Sequence, residues 1–288
     1  LFVEIDTNST PQVKTSDYLV PTYMYIGWNQ RRPVFSDKKT RQALSHLVNK
    51  DQLIATVMRG MAISTNSPIY FGRPEYDSTL NKYEYNTTKA KQLLAEAGWT
   101  DSNGDGTLDR VINGKRVDFT FTFLLNAGNE TRESIALLLV DEMKKVGIQA
   151  QAQKIEWSVF LENLKSNKFD AFIGAWVNDP SPSDLYQIWH SSQINNKGSN
   201  YVAFNNRRAD ELIAMIRTEF DESKRMAYYR EIQQIINDEQ PYTFLWILKY
   251  PTAYNRRLQG VEFYTVRPGY ILNNWWVPKG MQKYTSPN

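Results

Sequence analysis

The sequence predicts an α/β fold, and three observations carry that prediction. Between residues 117 and 176, apolar strand-like segments alternate with amphipathic segments of helical period, the signature of strands joined by helical crossovers. Further amphipathic stretches on either side place apolar residues at helical spacing and close on glycine. Both ends of the chain are β-like, carrying runs such as TFLWILKY and VEFYTV.

Taken in order, residues 1–35 read as extended segments joined by polar turns, because Pro11, Pro21 and Pro33 oppose helix. A helix starts near Ser36, an acceptable N-cap, and buries Ala43, Leu44, Leu47 and Val48. Lys50-Asp51 opens a second helix, Leu53, Ile54, Val57 and Met58 continue its face, and Gly60 stops it. Residues 61–86 are irregular. Thr87 or Thr88 then caps a helix burying Ala90, Leu93, Leu94 and Ala97, closed by Gly98. After a Gly/Asp loop, Val117–Leu125 is a strand. Thr131–Val146 is a helix whose stripe is Ile135, Leu138, Leu139, Met143 and Val146, ended by Gly147. Ile148–Ile155 follows as a strand, Ser158–Ser166 as a helix and Phe169–Trp176 as a strand, with two more helices at Arg207–Thr218 and Asp221–Glu239.

The chain has 288 residues, enough for one large domain or two smaller ones. Its 34 basic and 31 acidic residues are interspersed and give a formal charge of +3, so no basic footprint for nucleic acid stands out. Cysteine is absent and only His46 and His190 are present, which excludes thiol chemistry, disulfides, Cys-zinc sites and a His-rich metal centre. No apolar run approaches the roughly 20 residues of a membrane span. The opening LFVEID reads like the interior of a strand, and the chain reads as part of something longer.

The most informative stretch is FDAFIGAWVNDPSPSDLYQIWHSS, residues 169–192. A buried strand ends at Trp176 and opens into a Pro/Ser/Asp loop, gathering Trp176, Asn178, Asp179, Trp189 and His190 at a strand end. Open α/β proteins bind ligands at the carboxyl ends of strands, in pockets that combine aromatic walls with a few polar groups. The plainer reading is a strand–loop–helix connection with Trp176 and Trp189 in the core.

Other candidate chemistry is weaker. Asp101, Asn103, Asp105 and Gly106 match the first half of a calcium loop, but Ile112 stands where a bidentate glutamate belongs, so the expectation is a loop of Asx-turns. The pairs Asp179 with Asp184 and Glu130 with Glu133, or His190 beside Ser191 and Ser192, suggest a hydrolase. No GxSxG elbow accompanies them, and His190 is expected to cap or pack at a helix end. The Arg31-Arg32, Arg207-Arg208 and Arg256-Arg257 pairs read as solvated turns, and the Trp275-Trp276 doublet as either core or partner surface.

Four ordered segments resemble a known family. RQALSHLVNKDQLIATVMRGMA (41–62), YEYNTTKAKQLLAEAGW (83–99) and GNETRESIALLLVDEMKKVGI (128–148) are similar to three characteristic helices of the family 5 solute-binding proteins of ABC importers, which include oligopeptide and dipeptide binders. The loop after Trp176 resembles that family's ligand loop, G-W-x-x-D-x-x-D-P. There are departures: Thr87 stands where the family prefers Pro, and Val48-Asn49-Lys50-Asp51 shifts its A-x-D wording. In the peptide binders an Asp four residues before the loop proline takes the ligand's ammonium. That offset falls here on Asn178 if Pro182 is matched and on Trp176 if Pro180 is, with Asp179 adjacent.

The resemblance implies a C-terminal lobe of the type II periplasmic-binding-protein kind. Residues 1–30 would be strands of a truncated first lobe, 31–240 the ligand-binding lobe and 241–288 a return segment. It implies an extracytoplasmic or periplasmic receptor, monomeric, whose parent is lipid-anchored or free. The receptor captures peptides by lobe closure and delivers them to permease subunits, with no cofactor, no metal, no catalytic residue and no nucleic-acid partner. The expected substrate contacts are Ala175, Trp176, Val177, Asn178, Asp179 and Trp157. Alternatives are a nickel complex or oligosaccharide as cargo, and more remotely a hydrolase built on Asp179 and His190.

Overall fold

Every residue from Thr22 to Trp28 is buried, and the position of that segment explains the architecture. The computed structural model describes residues 8, 10–178, 183–195, 198–266 and 268–283. In chain order the elements are β1 (Val13–Leu19), β2 (Thr22–Trp28), α1 (Lys38–His46), α2 (Lys50–Thr56), β3 (Ala62–Ser64), α3 (Thr87–Glu96), β4 (Asp109–Ile112), β5 (Lys115–Asp118), β6 (Thr120–Asn126), α4 (Glu130–Lys144), β7 (Gln149–Ile155), α5 (Trp157–Lys165), β8 (Ala171–Val177), α6 (Tyr186–Trp189), α7 (Arg207–Thr218), α8 (Glu222–Glu239), β9 (Tyr242–Phe244) and β10 (Trp246–Asn255).

A five-stranded sheet of order β7-β6-β8-β2-β9 forms the centre. β6 runs parallel to β7 and β8, whereas β2 is antiparallel to β8 and β9. Side chains alternate across a strand, so β2 sends Met24, Ile26 and Trp28 to one face and Tyr23 and Tyr25 to the other. The first face is covered by α1 through Ala43 and Leu44, α3 through Leu93 and Leu94, and α4 through Ile135, Leu139 and Met143. The second is covered by α5 through Phe160 and Leu164, α7 through Leu212 and Ile213, and α8 through Tyr229, Ile232 and Ile236. The result is a three-layer α/β unit. Each large apolar side chain it encloses contributes about 1.5–3 kcal/mol relative to exposure.

Boundaries at 30/31 and 240/241 cut through this continuous sheet, because β2 and β9 are hydrogen-bonded into it. Sheet membership follows long-range pairing that no local pattern encodes. A second sheet, β1-β10-β3, stands apart as a long ribbon in which Val13–Leu19 pairs with Lys249–Asn255. Residues after β10 fold back on that ribbon, with Phe263 stacked on Tyr18 at 5.2 Å.

Local differences from the sequence reading have simple causes. Asp37 caps α1 and Asn86 caps α3, each accepting a backbone N–H in place of the neighbouring Ser36 and Thr87. The strand expected over Val117–Leu125 is two strands, with β5 folding against β4 as a hairpin before β6 enters the sheet. β3 breaks the irregular stretch 61–86, where Lys50 Nζ also donates to Thr65 O and Asn66 Oδ1. Burial pushes the Lys50 ammonium down to about 7, against the opposing pull of Asp51.

Candidate functional site

The path of the chain opens a crevice. From β6 the chain passes through α4 to β7 on one side; from β7 it passes through α5 to β8 on the other side of β6. The two helices lie on opposite faces of the sheet. Strand order therefore reverses between β6 and β8, and ligands of open α/β sheets bind outside the carboxyl ends of strands at such a point.

Here the crevice has a specific form. The β6–β8 ladder ends at Leu124↔Phe172, while β8 stays paired with β2 as far as Thr22↔Val177. Among the described residues, Gly174–Val177 thus have a strand on one side only. Ala175 and Val177 are exposed and Trp176 is half-buried. That edge is able to accept an added strand through backbone hydrogen bonds.

Beneath the edge lies a floor of aromatic rings. Trp176 stacks between Tyr25 and Tyr201, with ring centroids 6.5 Å from each, and its Nε1 donates to Tyr242 Oη at 3.4 Å. Tyr25 stacks on Tyr242 at 3.8 Å. Gly174 makes room for this packing, since a Cβ there would lie 2.8 Å from the Tyr25 ring and hydroxyl. Burial raises the pKa of Tyr25 well above its ordinary value and that of Tyr242 to about 12, so both are neutral hydrogen-bonding groups at physiological pH. Arg132, in the first turn of α4, donates to Asn126 Oδ1 at the end of β6. Burial lowers its pKa, and the neighbouring Tyr25 opposes that shift.

At the end of β8, Asn178 is fixed twice: its backbone N–H donates to Pro21 O at 2.6 Å and its Nδ2 to Pro68 O at 2.9 Å. Next to it is a cavity of about 230 Å³ walled by Tyr23, Pro68, Trp176, Val177, Leu185 and Ile188.

The structure brings Ala175, Trp176, Val177 and Asn178 together. Asp179 lies outside the described residues. Trp157 begins α5 at the end of β7, half-exposed and stacked on Phe160 at 5.5 Å. β7 is two strand positions from β8, on the order of 10 Å, so Trp157 stands at the far rim. Trp189 is fully buried and Trp176 half-buried, and both line that cavity. Tyr25, Tyr201, Tyr242 and Arg132 were not signalled by the sequence. They come from distant segments and carry no local motif.

The remaining candidates serve structure. Ser191 donates its hydroxyl to Asp210 Oδ2, not to His190, and His190 Nδ1 accepts from the Ser192 N–H as a cap. The Ser–His hydrogen bond that a nucleophile and base of those two residue types would share is therefore not made by Ser191 and His190. Glu133 is engaged by Lys154 at 2.7 Å. In the Asp101 loop the carboxylate accepts the backbone N–H groups of Gly104, Asp105 and Gly106, and Arg116 lies near Asp105, Asp109 and Asp118. The calcium-like pattern is thus a set of Asx-turns, and among the described residues no group of three or more His, Asp or Glu is placed to hold a metal. Arg31 and Arg32 bind backbone oxygens of Tyr201 and Phe169, Arg208 pairs with Glu231, and Trp275 packs while Trp276 is exposed.

Comparison with known proteins agrees with this architecture. Residues 3–197 match the model of the bacterial extracellular solute-binding proteins, family 5 (middle). The oligopeptide-binding protein AppA of Bacillus subtilis is 40% identical over 266 residues, which cover 91% of this chain and 48% of AppA. The solved structure of that protein in complex with a nonapeptide superposes with a TM-score of 0.81 at 37% identity, covering 95% of this chain and 55% of that one. NikZ from Campylobacter jejuni, solved in complex with Ni(L-His), shares the fold with a TM-score of 0.75 at 22% identity, over 88% of this chain and 50% of that one. The chain spans about half the length of the relatives it matches, and no described helix is long and apolar enough to cross a membrane. With its ordered helices, its three-layer lobe and the matched model over more than half its length, this chain belongs to the family 5 bacterial extracellular solute-binding proteins.

Proposed function

We propose that this chain is the peptide-gripping lobe of an extracytoplasmic receptor that delivers its cargo to an ABC-importer permease. The observation that carries the reading is the unpaired edge of Gly174–Val177, at the reversal point of the sheet and above the Trp176, Tyr25 and Tyr242 rings. An extended peptide adds there as a further strand. Main-chain hydrogen bonds give affinity with little dependence on sequence, and pockets beside the edge read individual side chains. AppA of Bacillus subtilis, solved with a nonapeptide, supports this choice of cargo.

The β1–β10 ribbon and the residues after it belong, on this reading, to the neighbouring lobe. Ligand held between two lobes favours the closed form, because only that form makes contacts on both sides. Asp179 and Trp157 contact the ligand from the loop and from the far rim. The mechanism is capture and release without covalent chemistry.

Titration calorimetry on the protein in its full length with a mixed peptide library tests the reading. Saturable peptide binding is expected. Tight binding of a metal chelate or sugar with none of peptide overturns it.

A further inference from the structure

Helix α8 buries polar side chains where an amphipathic helix ordinarily buries apolar ones. Tyr229, Gln233 and Asn237 fall four residues apart and so form one line along the helix, and none is more than 4% exposed. Polar groups buried in this way need partners. Outside the helix, those partners lie in the irregular stretch 66–81 and at Ser183.

The bonds lead to the ligand edge. Gln233 Nε2 donates to Glu75 O at 2.7 Å and to Tyr229 O at 2.8 Å. Its Oε1 accepts from Ser67 Oγ at 2.8 Å and from the Asp77 N–H at 3.2 Å. Ser67 Oγ in turn accepts the Ile69 N–H at 3.0 Å, closing a serine turn around Pro68. Pro68 O is the acceptor that holds Asn178 Nδ2, at the end of the β8 edge. One helical turn before Gln233, Tyr229 Oη donates to Ser183 O at 2.7 Å. Burial pushes the Tyr229 phenol up to about 12, so it keeps its proton for that bond at physiological pH. Asn178 and Ser183 flank residues 179–182 in sequence. Both flanks are thus tied to neighbouring turns of one helix, Asn178 through Pro68, Ser67 and Gln233, and Ser183 directly through Tyr229.

We propose that Gln233, acting through Ser67, and Tyr229 are positioning residues for peptide binding: they hold the end of the β8 edge in the geometry that an added strand requires. The proposal rests on the peptide-binding reading. Gln233, Ser67 and Tyr229 are at most 1% exposed and so do not meet the ligand themselves. They act on the share of molecules whose edge is ready to bind, and apparent affinity falls in proportion to that share. Hydrogen bonds to backbone carbonyls are directional, so they fix the flanks in place where apolar packing alone would let them slide.

The test uses the full-length protein with Ser67→Ala and Tyr229→Phe, each of which removes one hydroxyl. Leu94→Val, in the core on the opposite face of the sheet, controls for lost stability. Two quantities are read: calorimetric affinity for a peptide, and hydrogen exchange at the Asn178 amide, which is bonded to Pro21 O, relative to Phe172, which pairs with Gly27 within β8. Ser67→Ala and Tyr229→Phe are each expected to weaken the peptide about three- to tenfold and to speed exchange at Asn178 while Phe172 is unchanged. Leu94→Val is expected to lower unfolding stability and keep affinity within about twofold of native. A hydroxyl variant whose affinity also stays within about twofold removes its arm of the network from the proposal, and both doing so overturn it while the receptor function stands. An equal loss in Leu94→Val overturns it too, because affinity then follows stability. If the native protein binds no peptide, the peptide reading falls and exchange alone decides: faster exchange confined to Asn178 supports the anchoring, and unchanged exchange overturns it.

Discussion

The α/β unit and the β1–β10 ribbon are built from similar residues and reach opposite ends. In the unit, aromatic side chains are enclosed by helices on both faces of the sheet: Trp28, Trp99 and Trp189 are fully buried, as is Trp246 where β10 leaves the unit for the ribbon. In the ribbon and the residues after it, Tyr250, Tyr264, Tyr270, Ile271, Leu272 and Trp276 stay exposed. Two covered faces make a core, whereas an antiparallel ribbon without helices on its faces leaves them to whatever else is present. Composition alone does not distinguish the two regions; topology does.

Mutations at matched positions test that contrast. Trp28 packs between Phe121 and Phe123 of β6 and Phe35, whose ring is tilted against it at 5.2 Å, and donates its Nε1 to Thr243 Oγ1 at 3.0 Å. Trp28→Ala is expected to cost about 3–5 kcal/mol in denaturant unfolding. A loss below about 1 kcal/mol would mean that the unit is no better packed than the ribbon.

Gly174→Ala comes next. Its Cβ meets Phe172 and Tyr25, rings already held on both sides, so about 1–3 kcal/mol of overpacking is expected. Peptide affinity should fall with it, because the floor of the crevice shifts. Unchanged stability and affinity would show that the rings move aside freely.

Lys50 gives the unit a pH signature. Its native pKa of about 7 lies below the ordinary 10.5. Between those values the unfolded chain holds the proton that the native form has released, so stability rises with pH from about 7 to about 10. Below about pH 7 both forms are protonated and the burial penalty is present in full. Lys50→Met should flatten this rise when unfolding is measured across the window. A slope that persists places the titrating group elsewhere.

The smallest effect is expected in the ribbon's appendage. Trp276→Ala, at a side chain 57% exposed, should change the stability of this chain by less than about 0.5 kcal/mol in the same denaturant assay. A loss comparable to that of Trp28→Ala would abolish the contrast between the regions.

The fold class was legible because its signals are local. The stripe on α4, from which only the exposed Leu138 departs, the cap positions within one residue and the strand end, one residue past Trp176 at Val177, are all set by neighbours in sequence. Ala175–Asn178 was legible as a strand end for the same reason: a buried strand that breaks into a proline loop marks one. The ring floor was not. Tyr25 and Tyr242 reach Trp176 through pairings across the sheet, and the same long-range ladders put β2 and β9 in the α/β unit. Gly174 looks like any glycine in a strand until the Tyr25 hydroxyl is seen lying over it. The paired arginines looked like solvated turns, yet Arg31 and Arg32 tie β2 to the 169–201 region.

The central claim is that the edge of β8 grips cargo through its backbone. N-methyl scanning of a bound peptide tests it most directly, because the methyl removes one main-chain donor at a time and leaves the side chains. Calorimetry is predicted to show a roughly three- to tenfold loss at alternate ligand positions, following the two-residue period of a strand. Affinity indifferent to N-methylation at every position would contradict strand addition at Ala175–Val177.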